Sequence, residues 1–211
     1  MFDDRTDAGE RLAAKLESRG FEADIVLGIP RGALPVARPV ADALDADLDV
    51  VVARKMGAPK NPELALGAVA SDGSVWYNED LIERLGVSDE YLEEIREEEA
   101  NNAREKADRY RETVGLPDLQ GKRVIVVDDG VATGATAMAC LRQIRNSGAA
   151  FVALAVPVGS PRGIDDLETE ADEIIALRTP QSFRAVGQFY RTFGQVSDEE
   201  AVGYLEREGT E

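Results

Sequence analysis

Four consecutive apolar residues, Val124 to Val127, run directly into two aspartates, Asp128 and Asp129. A segment that is apolar at every position, with no alternation, is buried on both faces. That is the environment of a strand inside a parallel sheet sandwiched between helices. The residues that follow, Gly130-Val-Ala-Thr-Gly-Ala-Thr136, are mostly small or hydroxyl-bearing. They open a stripe of Ala137, Cys140, Leu141 and Ile144 at helical spacing. The segment therefore reads as strand, loop, helix, with a carboxylate pair and a flexible turn at the edge where open α/β sheets bind ligands.

Other short apolar runs extend the pattern. Ile25-Val-Leu27 ends in Gly28-Ile-Pro-Arg-Gly32, and a helix is expected next, with Leu34, Val36, Ala37, Val40 and Leu44 near helical spacing. Further strands are expected at Leu48–Val52, Val152–Val158 and Ile174–Leu177. The alternation of apolar runs and helical patterns predicts an α/β chain: a Rossmann-like parallel sheet with helices on both faces. Between the second strand and Val124, Ala68–Tyr77 reads as a hairpin around Asp72-Gly73. Ser88–Arg111 reads as one long charged helix with a narrow stripe of Leu92, Ile95, Ala103 and Ala107, structural in role. Ser197-Asp-Glu-Glu200 forms a capping box for a last short helix.

Charge narrows the functions open to such a chain. It carries 41 acidic and 24 basic residues, a formal net charge of −17. This opposes non-specific nucleic-acid binding, which needs basic surface. The acids are spread along the whole chain, as on a halophilic surface adapted to molar salt. There is no histidine, so His-based acid/base chemistry, Ser-His-Asp triads and His-ligated zinc are excluded. The single cysteine, Cys140, excludes an internal disulfide and falls on a buried stripe, as inert packing. No apolar run approaches the roughly 20 residues of a membrane span. The first residues lack the regions of a signal peptide, and the expected location is cytoplasmic.

The chemistry is expected at the strand ends. Backbone N–H groups in the Gly130–Thr136 loop can converge on a phosphate. The helix N-terminus adds partial positive charge, and Thr133 and Thr136 add hydroxyls. Carboxylates beside a phosphate must face something other than the phosphate. Sugar hydroxyls and a hydrated Mg²⁺ are the expected partners of Asp128 and Asp129. A P-loop is excluded because Gly134 is followed by Ala135, and no Gly-x-Gly-x-x-Gly occurs in this loop. In so acidic a protein an anionic ligand needs local cations. Arg31, Arg54, Lys55 and Lys60 all fall near strand ends, on the expected ligand side.

At these residues the chain resembles the type I phosphoribosyltransferases. Their signature for phosphoribosyl pyrophosphate is four apolar residues, two acidic ones and a loop ending Thr-Gly-x-Thr. Gly28-Ile-Pro-Arg-Gly32 is similar to the family's pyrophosphate loop. Arg54-Lys55 is similar to its basic contact, and Met56–Pro62 to its mobile catalytic loop. The wider match resembles a group of bacterial and archaeal predicted phosphoribosyltransferases. The resemblance implies one domain over 1–211, with an inserted loop, hairpin and helix at 54–115 and a small variable hood and tail at 159–211. It implies catalytic roles for Asp128, Asp129, Arg54 and Lys55. The 5′-phosphate would lie on Gly130, Val131, Ala132, Thr133, Gly134, Ala135 and Thr136. Pyrophosphate would lie on Pro30, Arg31, Gly32, Arg54, Lys55 and Lys60. Mg²⁺ would be held indirectly, through ligand and water, and by Asp128 and Asp129. A homodimer is implied.

Two departures qualify the match. Gly130 replaces a residue that is often apolar in the family, which should loosen the loop. Ala132 stands where hypoxanthine–guanine enzymes are expected to carry an Asp, which argues against a 6-oxopurine acceptor. Phe183, Phe189 and Tyr190 in the hood, and Trp76 in the hairpin, are either base-stacking rings or core. The expected reaction is Mg²⁺-dependent transfer of a 5-phosphoribosyl group to a nitrogen acceptor, a nucleobase, with release of pyrophosphate. The alternatives are a non-catalytic regulator that binds phosphoribosyl pyrophosphate, and another phosphate-handling enzyme.

Overall fold

The computed structural model describes residues 1–111 and 115–206. The parts of the expected insertion and tail at 112–114 and 207–211 lie outside the described residues. Five parallel strands form the central sheet: β1 (Ile25–Gly28), β2 (Asp47–Val50), β6 (Arg123–Val127), β7 (Phe151–Val158) and β8 (Glu173–Arg178), in the spatial order β2-β1-β6-β7-β8. All four residues of β1 are buried, as are Val124 to Val127 of β6. The edge strands β2 and β8 are only partly covered.

Side-chain alternation along the inner strands supplies two separate cores. Val26, Ile125, Val127, Ala153 and Ala155 meet α1 (Arg5–Ser18) and α2 (Leu34–Ala43) through Leu12, Leu16, Val36 and Val40. Ile25, Leu27, Val124, Val126, Val152 and Leu154 meet α5 (Ala135–Asn146) through Ala137, Cys140, Leu141 and Ile144 on the other face. Each large aliphatic side chain buried this way stabilises the sheet by about 1.5–3 kcal/mol. The expected strands and helices are all present, with ends shifted by one to three residues. The helix α1 was not foreseen, although Ala8, Leu12, Ala13 and Leu16 do fall at helical spacing.

The strand order reverses between β1 and β6, which are direct neighbours in register from Ile25↔Val124 to Gly28↔Val127. Their C-terminal ends open a crevice at the switch point. The Gly28–Gly32 loop and the Asp128–Thr136 loop rise on its two sides.

The insertion is a second, antiparallel sheet: β3 (Ala53–Ala58), β4 (Asn61–Ala70) and β5 (Val75–Tyr77) in order β3-β4-β5. The Ala68–Tyr77 hairpin is therefore present, with Val69 opposite Val75. The segment expected to be a mobile loop, Met56–Pro62, is instead the end of a second hairpin. Ala58 pairs with Asn61 across a two-residue turn, Pro59 and Lys60. Pairing with β4, supplied by residues further along the chain, overrides the loop-forming Gly and Pro in this stretch. Two helices follow, α3 (Glu79–Leu85) and the long α4 (Asp89–Asp108), each capped by a side chain, Asn78 and Ser88. A short helix α6 (Pro161–Leu167), a single 3₁₀ turn (Val186–Phe189) and α7 (Asp198–Leu205) complete the described chain. The capping box of α7 is formed by Ser197 and Glu200.

Helix α1 approaches α2 closely enough that only glycine fits at position 9. A Cβ there would lie 2.6 Å from the Val36 carbonyl oxygen. Gly9→Ala should therefore destabilise the fold by about 1–3 kcal/mol, as overpacking does. A urea midpoint equal to that of the parent would show that the two helices can separate without cost.

Candidate active site

The phosphate loop is built by α5, β7 and α6 together. Gly134 caps α5 with φ +77°, the left-handed conformation that favours glycine. Its open side faces Leu167 and the Gly163 carbonyl, so α6 walls the loop from behind. Ser160 donates to the Ala132 carbonyl (2.5 Å) and accepts from the Gly163 N–H (2.9 Å), which pins the loop's outer turn. The first intrahelical bond of α5 runs from the Met138 N–H to the Gly134 carbonyl (2.8 Å). Among the described residues, the N–H groups from Ala132 to Thr136 find no protein acceptor. Unpaired donors gathered at a helix N-terminus form a cradle for an anion.

Val131 does not belong to that cradle. Its N–H is spent on the Val158 carbonyl (2.9 Å), and its side chain is buried. Its role is to continue the pairing with β7. Gly130 does not loosen the loop either. A Cβ at this position would collide with Val186 at 2.6 Å and crowd Val158 at 3.0 Å. Glycine is needed because the C-terminal 3₁₀ turn packs onto the loop.

Asp128 and Asp129 stand at the head of the loop, half-buried. The Asp129 N–H donates to Asp128 Oδ1 (2.8 Å). Arg5, from the first turn of α1, donates its Nε to Asp129 Oδ2 (2.8 Å), with both side chains less than one-fifth exposed. The same guanidinium lies 3.8 Å over the Phe193 ring and donates to the Gly194 carbonyl. Tyr190 donates its hydroxyl to the Asp129 carbonyl (2.6 Å). Burial, and then the charge of Asp129, push the Asp128 carboxyl well above the ordinary carboxylate range. Burial raises Asp129 too, against the opposing pull of Arg5.

A cleft of about 600 Å³ opens in front of the aspartates. The Gly28–Gly32 loop lines it through Pro30 and Gly32, and β3 through Arg54 and Lys55. The fit of Gly32 is tight, since a Cβ there would fall 2.3 Å from Asp129 Oδ2. Arg54 pairs with Glu99 of α4 (3.0 Å). Arg31 does not line the cleft in this structure but meets Asp198 of α7 at 3.4 Å. Lys60 stands exposed at the hairpin tip, outside the cleft lining. A second cleft, also about 600 Å³, lies on the far side of the phosphate loop. Ala132, Thr133, Ala135, Trp76 and Arg162 line it, and Lys55 borders both clefts.

The hood is made from both ends of the chain. Phe2 pairs with the segment after the 3₁₀ turn: its N–H reaches the Phe189 carbonyl (2.8 Å), and its own carbonyl receives the Arg191 N–H (2.8 Å). Phe183 packs on Phe189, and Tyr190 on Phe2 and Phe193, at centroid distances of 5.0–5.3 Å. Phe2 and Tyr190, with Phe183 and Phe189 packed against them, form the hood's own core, while Phe193 stays exposed. Cys140 is fully buried, and burial raises its thiol far above the ordinary range.

Among the described residues, no three carboxylate or thiol side chains converge as a metal site. Mg²⁺ commonly takes one or two carboxylates and completes its shell with water and ligand phosphates. The two aspartates beside a phosphate cradle suit that indirect mode.

Sequence reading missed Arg5, which pairs across 124 positions with Asp129, and no local signal points to it. It also took α4 as structural, yet Tyr91, Ile95, Glu99 and Lys106 all line the cleft. At about 100° per residue these positions fall within about 80° of one another on the helix. That face was legible in principle.

A doubly wound sheet with an anion cradle and a carboxylate pair at its switch point defines a nucleotide- or sugar-phosphate-handling class of protein. The comparisons narrow it. The family model of the phosphoribosyl transferase domain matches residues 3–191. A Mycobacterium tuberculosis protein named "Putative phosphoribosyl transferase Rv0571c" is 42% identical over 207 residues, 98% of this chain and 47% of its own length. The chain thus spans about half the length of the curated relatives it matches. The crystal structure of TT1426 from Thermus thermophilus is similar at TM-score 0.81 and 43% identity, over 97% of each chain. AQ2163 from Aquifex aeolicus shares the fold at TM-score 0.50 and 16% identity, over 82% of this chain and 73% of that one. The chain belongs to the phosphoribosyl transferase family.

The raised Asp128 carboxyl carries a stability prediction. A carboxyl whose folded pKa is raised costs stability as the pH rises above its unfolded value. Asp128→Asn keeps the acceptor for the Asp129 N–H and removes the charge. It should raise the Tm of the ligand-free protein at pH 7, by about 2–4 °C for each kcal/mol of strain relieved. The gain should shrink as the pH falls toward 4, where the parent carboxyl is also neutral. A lower Tm at pH 7 would mean that the aspartate is paired rather than repelled.

Proposed function

We propose that this chain transfers the 5-phosphoribosyl group of phosphoribosyl pyrophosphate to a nitrogen acceptor, a nucleobase, with release of pyrophosphate. The observation that carries the reading is the run of unpaired N–H groups from Ala132 to Thr136, which follows the two carboxylates in the chain and ends at Thr136 in the cleft that they share with Arg54 and Lys55.

In this mechanism the N–H run and the hydroxyls of Thr133 and Thr136 hold the 5′-phosphate and fix the sugar's orientation. Asp128 and Asp129 accept hydrogen bonds from the ribose hydroxyls. Their negative charge also favours the cationic character that develops on the ring as the anomeric C–O bond breaks. Arg54, Lys55 and the Gly28–Gly32 loop take the charge of the departing pyrophosphate. The acceptor nitrogen forms the new C–N bond, and its proton passes to solvent. No side-chain base is needed, in keeping with a chain that lacks histidine. Mg²⁺, held by pyrophosphate oxygens and water beside Asp128 and Asp129, would supply charge neutralisation on the leaving group.

Arg5 occupies only Oδ2 of Asp129, which leaves the other carboxylate oxygen to meet a ribose hydroxyl. Arg5 opposes the effect of burial on that carboxyl and orients it, rather than touching the reacting atoms.

Pyrophosphate release from phosphoribosyl pyrophosphate should appear with Mg²⁺ in molar KCl, and only with one acceptor from a panel of purine bases, pyrimidine bases and small amines. Asp129→Asn should lower kcat/KM by at least about 10²-fold, the scale of losing one preorganised electrostatic contact, without unfolding the protein. Tight ligand binding with no release for any acceptor would instead support a regulator. Neither binding nor release would defeat the reading.

A further inference from the structure

Lys106 belongs to α4, a helix outside the signature and both phosphate loops. Its ammonium donates to the Pro30 carbonyl (2.7 Å), inside the Gly28–Gly32 loop, and its side chain lines the cleft together with Arg54, Lys55 and Asp128. An ammonium has three donors, and one is used here. Two of the basic groups near it have their own partners, Glu99 for Arg54 and Asp198 for Arg31, whereas Lys55, also in the cleft, makes no ion pair among the described residues. Among the described residues Lys106 has no ion pair. Asp128 acts on it only through space, without an ion pair, and a partly buried cation held this way beside further cations is poorly compensated in an empty protein. It becomes favourable when a multiply charged anion occupies the cleft.

We infer that Lys106 is a further binding residue for the diphosphate end of the ligand, giving its free N–H donors to the pyrophosphate oxygens while the third holds the Pro30 carbonyl. This rests on the reading of the cleft as a phosphoribosyl pyrophosphate site. Burial, and then the nearby charges of Arg54 and Arg31, hold the ammonium below the ordinary lysine range, which agrees with a site awaiting negative charge. The position is also a geometric selector. Lys106 faces the Gly28–Gly32 loop, whereas the Ala132–Thr136 cradle lies at the start of α5. Its contribution therefore falls on the diphosphate and not on the 5′-phosphate.

The test is calorimetric titration of the whole chain with two probes, inorganic pyrophosphate with Mg²⁺ and ribose 5-phosphate. Lys106→Gln removes the charge but keeps an N–H donor for Pro30, and Lys106→Arg keeps the charge. The expected result is about a tenfold to hundredfold loss of pyrophosphate affinity for Lys106→Gln, the scale of one charged hydrogen bond. Ribose 5-phosphate affinity should stay within about twofold, and Lys106→Arg should recover part of the loss. Equal weakening of both probes would mean that Lys106 only supports the loop, and would overturn the inference. So would unchanged pyrophosphate binding in Lys106→Gln while the parent binds both probes. A Lys106→Gln chain that no longer folds, with Lys106→Arg binding pyrophosphate no better than ribose 5-phosphate, would overturn it as well. A parent that binds neither probe would overturn the reading of the cleft along with it.

Discussion

Two carboxylates on successive residues, at the end of a strand with no exposed face, repel each other, and much of the surrounding structure answers that repulsion. Arg5 brings a guanidinium to Asp129 from the first turn of α1. Lys106 and Lys55 offset the charge of Asp128 from the inserted region. Tyr190 holds the Asp129 carbonyl, and the Asp129 N–H holds Asp128. These supports come from both ends of the chain and from its insertion. A pair of acids used only for packing would be replaced by neutral residues at no loss. Keeping them charged fits a site that is stabilised by its ligand rather than by itself.

The long helix α4 ties the insertion to the sheet. Tyr91 donates to the Gly57 carbonyl (3.0 Å), Glu99 accepts from Arg54, and Arg104 reaches the Ser71 carbonyl (3.0 Å). Near its C-terminal end Lys106 reaches Pro30. One rigid element thus touches the β3–β4 hairpin, the β4–β5 turn and the loop after β1. In a chain of net charge −17, it also sets Lys106 beside Arg54 and Lys55 in one cleft, where an anion would otherwise be repelled.

The central sheet was legible because its signal is local. An unbroken apolar run such as Val124–Val127 has few alternatives to a buried strand, and the small residues after it have few alternatives to a tight turn into a helix. The Asp128–Asp129 pair and the Arg54-Lys55 step could be read for the same reason. The hairpin at Met56–Pro62 could not. Its composition favours a loop, and it is extended because β4 supplies the hydrogen-bond partners. Gly130 and Val131 also had meanings set at a distance, by Val186 and Val158.

By itself, then, the sequence determined the succession of strands and helices in the central sheet, the absence of imidazole chemistry, and the loop that can cradle a phosphate. These follow from periodicity, composition and backbone freedom within a few residues. Only the tertiary structure decided which charges face one another. It matched Arg5 to Asp129, turned Arg31 toward α7 and put Lys106 in the cleft. It also left Lys60 at an exposed hairpin tip. The reason is physical. Coulombic and hydrogen-bonding partners are chosen by proximity in space, and no periodicity in one segment encodes which distant segment will pack against it.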